Sequence, residues 1–356
     1  MTDMDDFVFK GIPTRVIFGS GTLAAVAEEV ARLGGKAALV LSTSHQAEDA
    51  GRLASDLGGR CFGVFSEAAM HTPVAITEKA LEAAKSLGAD CLVSLGGGST
   101  VGLGKAVSIR TGLPHLAVPT TYAGSEMTDI LGETKDGEKT TRRDPAIRPA
   151  TVIYDVALTL GLPTDMTVTS ALNAAAHAVE ALYAADGNPV ISQMAGAGLA
   201  ALFKGVPQVV ADPTDAAGRS DVLYGAWLCS TVLGQAEMGL HHKLCHVLGG
   251  SFDLPHAQTH AILLPHTAGF NAAAARAQLV PATALFGEDL GGGLWDFARA
   301  AGAPLALSDL GFTEKDLPGA ADIATRNTYS NPRAFDAGDI TALLRAAVNG
   351  TRPRPI

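Results

Sequence analysis

The chain has 356 residues, a formal net charge of -10 and 47% hydrophobic residues, which is length enough for two domains of ordinary size with real cores. That charge excludes broad contact with nucleic acid or an anionic membrane, both of which need basic surface. Cys61, Cys91, Cys229 and Cys245 lie far apart with no CxxC pair, which excludes a disulfide framework and a zinc knuckle and suits a reducing cytoplasm.

The opening "MTDMDDFVFKGIP" is acidic and has no basic segment leading into an apolar one, so no signal peptide is expected. No run reaches the roughly 18 uninterrupted apolar residues of a spanning helix. The expected location is the cytoplasm.

From residue 37 the chain alternates apolar runs with Ala-rich helical patterns. "AALVLS" (37–42) precedes a helix near 46–57, "CFGVF" (61–65) a helix over 74–87, and "CLVSL" (91–95) a helix over 100–110 before "HLAVP" (115–119). Continuous apolar strands separated by helices of this length predict a parallel sheet covered on both faces. "KDGEKTTRRDP" (135–145), with Lys135, Lys139, Arg142 and Arg143, reads as a solvated charged loop, although its nearness to the nucleotide-site sequence makes Lys139 or an arginine a candidate contact for phosphate or a substrate carboxylate. After "TVIYD" (151–155) the breakers of "LGLP" mark a boundary, and from about 165 helical periodicity takes over. The expected domains are 1–158, an α/β dinucleotide-binding domain, and 159–356, an all-helical catalytic domain.

Two stretches of the first domain carry ligand chemistry. In "CLVSLGGGSTVGLGKA" a strand runs into Gly96, Gly97 and Gly98, and Ser99 opens a helix. Glycines let the backbone approach a ligand, while the helix start presents N–H groups to an anion, so a pyrophosphate cradle is expected. The next strand ends in Pro119, Thr120 and Thr121, with Gly124 and Ser125 soon after, and ligands sit at the carboxyl ends of strands in open α/β sheets. After "LVLST" no carboxylate is present to hold a ribose hydroxyl and reject a 2′-phosphate. Thr43 stands there instead, and discrimination between NADH and NADPH is expected to be weak.

The second domain concentrates histidine. Asn173 and His177 are four apart and share a helix face, His242 and His246 repeat the spacing, and His256 follows Pro255 at the start of a third helix. Gly249 and Gly250 are expected to end the second of these helices. Imidazoles at i, i+4 are a usual metal-ligand geometry, so His177, His242, His246 and His256 are read together as functional. His45, His71 and His115 are read as structural or solvated, His266 as a support, and His241 and His260 stay open.

"SLGGGST", "PTTYAGSEMT", "VIYD", "NAAAHAVEALY" and "HHKLCHVLGGSFDLPH" fall in the order and spacing of the iron-containing (group III) alcohol dehydrogenase superfamily, which the chain resembles from about residue 7 to 350. Within it, "MHTPV", "GLGKAVSIRTGLP", "GETKDGEKTTRRDP" and "GAWLC" are similar to the maleylacetate reductase family. The resemblance implies a dehydroquinate synthase-like fold, an active site between the two domains and a homodimer. It also implies reduction of a small dicarboxylate, maleylacetate or a chlorinated analogue, to 3-oxoadipate by NADH or NADPH in the breakdown of aromatic compounds. By position, the superfamily's metal ligands fall on Asn173, His177, His242 and His256, and its extra active-site histidine, facing the nicotinamide, on His246. Lys243 is a further catalytic candidate.

The superfamily usually places an aspartate where this chain has Asn173. A neutral amide oxygen is a poorer ligand for a divalent cation and removes a compensating charge. The expectation is therefore a reductase without a bound metal, and the alternative is a metal-dependent alcohol dehydrogenase acting on a simple alcohol or aldehyde.

Overall fold

The computed structural model describes residues 6–327 and 329–354. Among the described residues eight strands are present: β1 (Arg15–Gly19), β2 (Ala38–Leu41), β3 (Cys61–Phe65), β4 (Cys91–Gly96), β5 (His115–Pro119), β6 (Ile130–Lys135), β7 (Glu138–Arg143) and β8 (Thr151–Asp155). Six of them form one sheet in the order β1-β8-β5-β4-β2-β3, and every pairing in it is parallel. The four inner strands are buried at every residue, whereas the edge strands β1 and β3 are only partly covered. This is the burial that continuous apolar strands require when helices cover both faces.

Those helices are α1 (Val26–Arg32), α2 (Ala47–Asp56), α3 (Val74–Ser86) and α4 (Gly98–Thr111). Val26, Val30, Leu53 and Leu57 pack on one face of the sheet, and Ala80, Ala84, Leu103 and Val107 on the other. Each buried valine or leucine among them contributes roughly 1.5–3 kcal/mol. Strands and helices fall where the apolar runs put them. The charged run does not: residues 130–143 form the antiparallel hairpin β6–β7, turned at Asp136 and Gly137 with φ of 52° and 81°. Two central residues at positive φ define the two-residue hairpin turn that Asp-Gly favours, so the run is a solvated hairpin and not a loop.

The chain gathers into two compact units, one of Ile12–Leu162 with Thr214–Leu223, the other of Pro163–Pro213 and Tyr224 onward with the segment up to Gly11. The second is built from α5 (Thr164–Leu182), α6 (Pro189–Ala211), part of α7 (Ala216–Leu233), α8 (Leu240–Phe252), α9 (His256–Ala272), α10 (Val280–Phe286), α11 (Leu290–Ala300), α12 (Leu317–Thr325) and α13 (Ala337–Val348). From Thr167 to Leu182 every residue of α5 is buried, and its small alanines let α6 and α9 pack against it. One helix among the described residues, α6, is long and apolar enough to cross a membrane by length and composition, but 39% of its apolar window is buried inside the protein. Leu240, Leu244 and Leu248 of α8 join Ile262 and Leu263 of α9 and Leu317, Ile340 and Leu344 beyond them in the core of this unit. The glycines at 249 and 250 do not end α8. The helix continues to Phe252 and is capped by Asp253 at φ 56°, because aspartate tolerates the left-handed conformation and the apolar face of α8 extends past the glycines.

Candidate active site

In the α/β unit, β4 and β5 end side by side: Gly96 pairs with Pro119, and Thr120 N donates to Gly96 O at 3.1 Å. Gly96 has φ 151°, and a Cβ there would lie 2.5 Å from Thr100 Oγ1 and 2.6 Å from Gln46 Oε1, so the position admits glycine alone. Gly97 is the N-cap of α4, and no side chain caps that helix. Gly98 opens the helix, one residue earlier than the expected start at Ser99. The buried hydroxyls of Thr100 and Ser125 beside this loop have no hydrogen-bond partner. An uncapped helix start flanked by unsatisfied hydroxyls fits an anion of the pyrophosphate type.

Gln46 ties the strand ends together, donating to Thr120 Oγ1 at 2.9 Å and accepting from Thr43 Oγ1 at 3.3 Å. Thr121 stands 3.0 Å from where a Cβ on Gly97 would be. Lys105, fully buried on α4, donates to Ser125 O, to Thr128 Oγ1 at 2.9 Å and to Ile130 O at 3.0 Å, stapling the turn after β5 to the helix. Burial pushes its ammonium down to about 7. Neither Gln46 nor Lys105 was among the expected site residues, although Lys105 lies within the quoted glycine-loop stretch and Gln46 three residues past Thr43. The side chain of Lys139 lies outside the described residues; its backbone sits in β7 opposite Thr134.

This loop carries a prediction. A Cβ added at Gly98 would meet Ala123 at 3.8 Å and Ser125 Oγ at 3.9 Å, ordinary contacts. Gly98→Ala is therefore expected to fold normally and to weaken NADH binding by about tenfold or more, because the methyl group occupies the phosphate approach. Unchanged affinity in a calorimetric titration would remove the loop from the site.

In the helical unit, α5 presents Asn173, His177 and Glu180 on one face, at positions i, i+4 and i+7. The His177 ring lies 5.1 Å from that of His242 on α8 and 6.2 Å from that of His260 on α9, between ring centroids. The His242 ring is 5.4 Å from His241, 6.3 Å from His246 and 5.0 Å from His260, and the His256 ring is 4.4 Å from His260. Six of the chain's ten histidines thus meet in one cluster. His177, His241, His242 and His260 are buried, while His246 and His256 are exposed. The structure unites the four histidines singled out from sequence and adds His241 and His260. Lys243 is half-buried one residue past His242, and no hydrogen bond or ion pair engages its ammonium among the described residues.

Glu180, absent from the expected set, orders this cluster. Its carboxylate accepts from the backbone N–H of Gly239 at 3.1 Å, His241 at 2.9 Å and His242 at 3.2 Å, and from His242 Nδ1 at 2.6 Å. Burial alone would raise its pKa, but the bond and charge of His242, with the other donors, hold it below the usual carboxylate value. Accepting from Nδ1, Glu180 fixes the orientation of the His242 ring, and His242 Nε2 is buried with no partner. Asn173 Oδ1 and His177 Nδ1 are buried without partners as well. Asn173, His177, His242 and His256 are donors a divalent cation accepts, and none of them is anionic.

Burial first, then the neighbouring imidazoles, push His177 and His260 well below the ordinary histidine value and His241 down to about 3. His177, His241 and His260 are therefore neutral near pH 7. His115 at about 3 and His266 at about 4 are held neutral mainly by burial too. Below the unfolded value of about 6.5 the unfolded chain takes up protons that these folded histidines refuse, so stability falls as pH drops and is complete above that value. At about 1 kcal/mol per group and pH unit, the melting temperature is expected to be about 5 °C or more lower at pH 5.5 than at pH 7.5. Scanning calorimetry checks this, and a flat profile would contradict it.

A doubly wound parallel sheet with a glycine cradle, in one chain with a helical unit that carries a histidine cluster, defines an oxidoreductase of the dehydroquinate synthase-like type. The chain belongs to the iron-containing alcohol dehydrogenase family: the description "Iron-containing alcohol dehydrogenase" matches residues 13–156 and "Fe-containing alcohol dehydrogenase family, C-terminal" residues 167–348. It is 55% identical to the maleylacetate reductase of Rhizobium sp. (strain MTP-10005) over 98% of this chain and 100% of that one. The crystal structure of maleylacetate reductase from Agrobacterium tumefaciens superposes with a TM-score of 0.97 at 55% identity, covering 98% of this chain and 100% of that one. That of an iron-containing alcohol dehydrogenase from Corynebacterium glutamicum superposes with a TM-score of 0.93 at 40% identity, covering 98% of each chain.

Proposed function

We propose that the chain is an NAD(P)H-dependent maleylacetate reductase acting on maleylacetate and its chloro-substituted analogues. The observation that carries the reading is full-length identity of 55% to an enzyme of that name, and the histidine cluster supplies the chemistry it needs. The reduced nicotinamide supplies a hydride to the alkene carbon β to the ketone, and the product is 3-oxoadipate. The electron pair moves onto the ketone oxygen as an enolate, and a proton is then added at the neighbouring carbon. The chain's own residues orient the substrate, stabilise the enolate and deliver that proton.

In this reading Gly96, Gly97, Gly98, Ser99, Thr120, Thr121, Ser125, Thr43 and Lys139 bind the nucleotide, and Asn173, His177, His242, His246, His256 and Lys243 serve the substrate. The Asn173 amide and Lys243 offer donors to the substrate's oxygens, and the exposed His246 and His256 offer imidazoles at the solvent side of the cluster. A divalent cation held by Asn173, His177, His242 and His256 would add positive charge at the ketone oxygen. The neutral amide at Asn173 supports a reaction that does not require it. The reading also makes the protein a cytoplasmic homodimer, which its acidic charge and free cysteines suit.

The test is absorbance of the reduced nicotinamide on addition of maleylacetate. Because Thr43 stands where a discriminating carboxylate would, NADH and NADPH are both expected to support turnover, with efficiencies within about two orders of magnitude of each other. Thr43→Asp is expected to shift preference toward NADH. No oxidation of either nucleotide by maleylacetate would overturn the assignment.

A further inference from the structure

Two turns past the glycine cradle the α/β unit buries a lysine that the reduction does not use. Lys105 lies seven positions after Gly98 on α4 and is fully buried. An ammonium taken out of water is costly unless acceptors replace its hydration. Here Ser125 O, Thr128 Oγ1 at 2.9 Å and Ile130 O at 3.0 Å replace it, one acceptor for each N–H of the group. Glu126 and Asp129 of the same stretch attract the charge as well. Ser125 opens the turn after β5 and Ile130 begins β6, so one buried charge ties that connection to α4.

The residue this arrangement fixes is Ser125. Its carbonyl accepts from Lys105 Nζ, from Thr128 N at 3.2 Å and from Thr128 Oγ1 at 3.0 Å. Gly124 before it has φ of 86°, a left-handed turn that glycine permits, and Glu126 after it accepts from the Tyr154 hydroxyl of β8 at 2.8 Å. The backbone on either side of Ser125 is therefore held, and only its hydroxyl is uncommitted. Ser125 Oγ is buried without a partner among the described residues, 3.9 Å from where a Cβ on Gly98 would stand. That places it at the uncapped start of α4, where backbone N–H groups await an anion.

We propose that Lys105 is a positioning residue for the nucleotide: its three hydrogen bonds hold Ser125 so that the serine hydroxyl donates to a phosphate of NADH at the start of α4. Lys105 acts through Ser125 and needs no contact of its own with the nucleotide. The proposal rests on the nucleotide-binding part of the reductase reading and adds to it a residue outside the set named there.

The experiment is a double-mutant cycle read by titrating NADH into the full chain and following nicotinamide fluorescence. Lys105→Met keeps the length of the side chain and removes the ammonium, and Ser125→Ala removes the hydroxyl. Each is expected to weaken NADH binding about tenfold. The double variant is expected to bind no more weakly than about tenfold below wild type, because Lys105 then positions a hydroxyl that has gone. In turnover with maleylacetate the loss in Lys105→Met is expected to fall on KM for NADH and not on kcat. Losses that multiply to about a hundredfold in the double variant would show a general structural role and overturn the proposal, and so would wild-type affinity in Lys105→Met. Where Lys105→Met fails to fold, Thr128→Val, which removes one of the lysine's acceptors and a donor to the Ser125 carbonyl, takes its place in the cycle, with Thr128→Ser expected to restore affinity. A wild type that binds no NADH overturns the nucleotide reading and the proposal together. A non-additive cycle in a protein that binds NADH but does not reduce maleylacetate upholds the positioning role and rejects only the substrate.

Discussion

Replacing Glu180 by glutamine is expected to lower kcat by about a hundredfold and the melting temperature by about 5–10 °C. Glu180 receives five donors, three backbone N–H groups at the start of α8, the His242 ring and, at 3.4 Å, the Tyr183 hydroxyl. Glutamine keeps one acceptor oxygen and turns an NH2 group toward the remaining donors, so at least one buried N–H loses its partner. Leaving a buried donor unsatisfied and withdrawing a charge that is paired costs on the order of 2–4 kcal/mol, which for a unit of this size corresponds to that melting shift. The catalytic loss has a separate origin. Without the carboxylate, the His242 ring loses the acceptor that fixes its orientation in the cluster. Steady-state kinetics with calorimetry on one preparation separates the two effects, because stability returns to kcat only what unfolding removed. Near wild-type kcat in a folded Glu180→Gln enzyme would show that His242 needs no such partner.

The legible parts of this protein are those with a short-range period. Buried parallel strands read as continuous apolar runs, and β2, β4, β5 and β8 fall where "ALVL", "CLVSLG", "HLAVP" and "TVIYD" stand. Imidazoles spaced by four announce themselves, as at His242 and His246. Glu180 carried a weaker signal: it completes the face of Asn173 and His177 one turn on, but a glutamate in a helix is ordinarily a solvated residue, and only burial reveals it as an acceptor. Lys105 is a parallel case, a lysine that spacing would leave in solvent and that three oxygen acceptors hold inside. The contacts of His241 Nδ1 with Thr267 Oγ1 and of His241 Nε2 with His260 Nδ1, both 2.9 Å, were beyond any pattern, since they join side chains 26 and 19 positions apart across two helices. The hairpin at Asp136–Gly137 was readable, because Asp-Gly between two runs of equal length is a turn signal that charge obscured.

Exhaustive chelation is expected to leave most of the reductase activity, whereas His242→Ala is expected to remove all but about 1% of it. The argument concerns where negative charge lies. A divalent cation in this cluster would meet Asn173, His177, His242 and His256, four donors none of which is anionic, in exchange for its hydration shell. The carboxylate on the same face of α5, Glu180, does not enter that set: its oxygens are spent on α8 and on His242 Nδ1, so it strengthens His242 as a donor without itself neutralising an ion. Losing an anionic ligand weakens cation binding by a few kcal/mol, of the order of one charge-assisted contact. A substrate with two carboxylates and a developing enolate places its own anions against the cluster, and imidazole N–H groups and the Asn173 amide can meet them directly. Activity is to be read with maleylacetate and NADH after treatment with a strong chelator, with metal content of the same sample measured in parallel. If activity disappears with the metal and Fe²⁺ or Zn²⁺ restores it, the protein is a metal-dependent dehydrogenase in which Asn173 binds through its side-chain oxygen. If activity survives in a sample free of metal, the cluster stabilises the enolate itself, and His242→Ala fails because it removes the ring that Glu180 holds in the cluster.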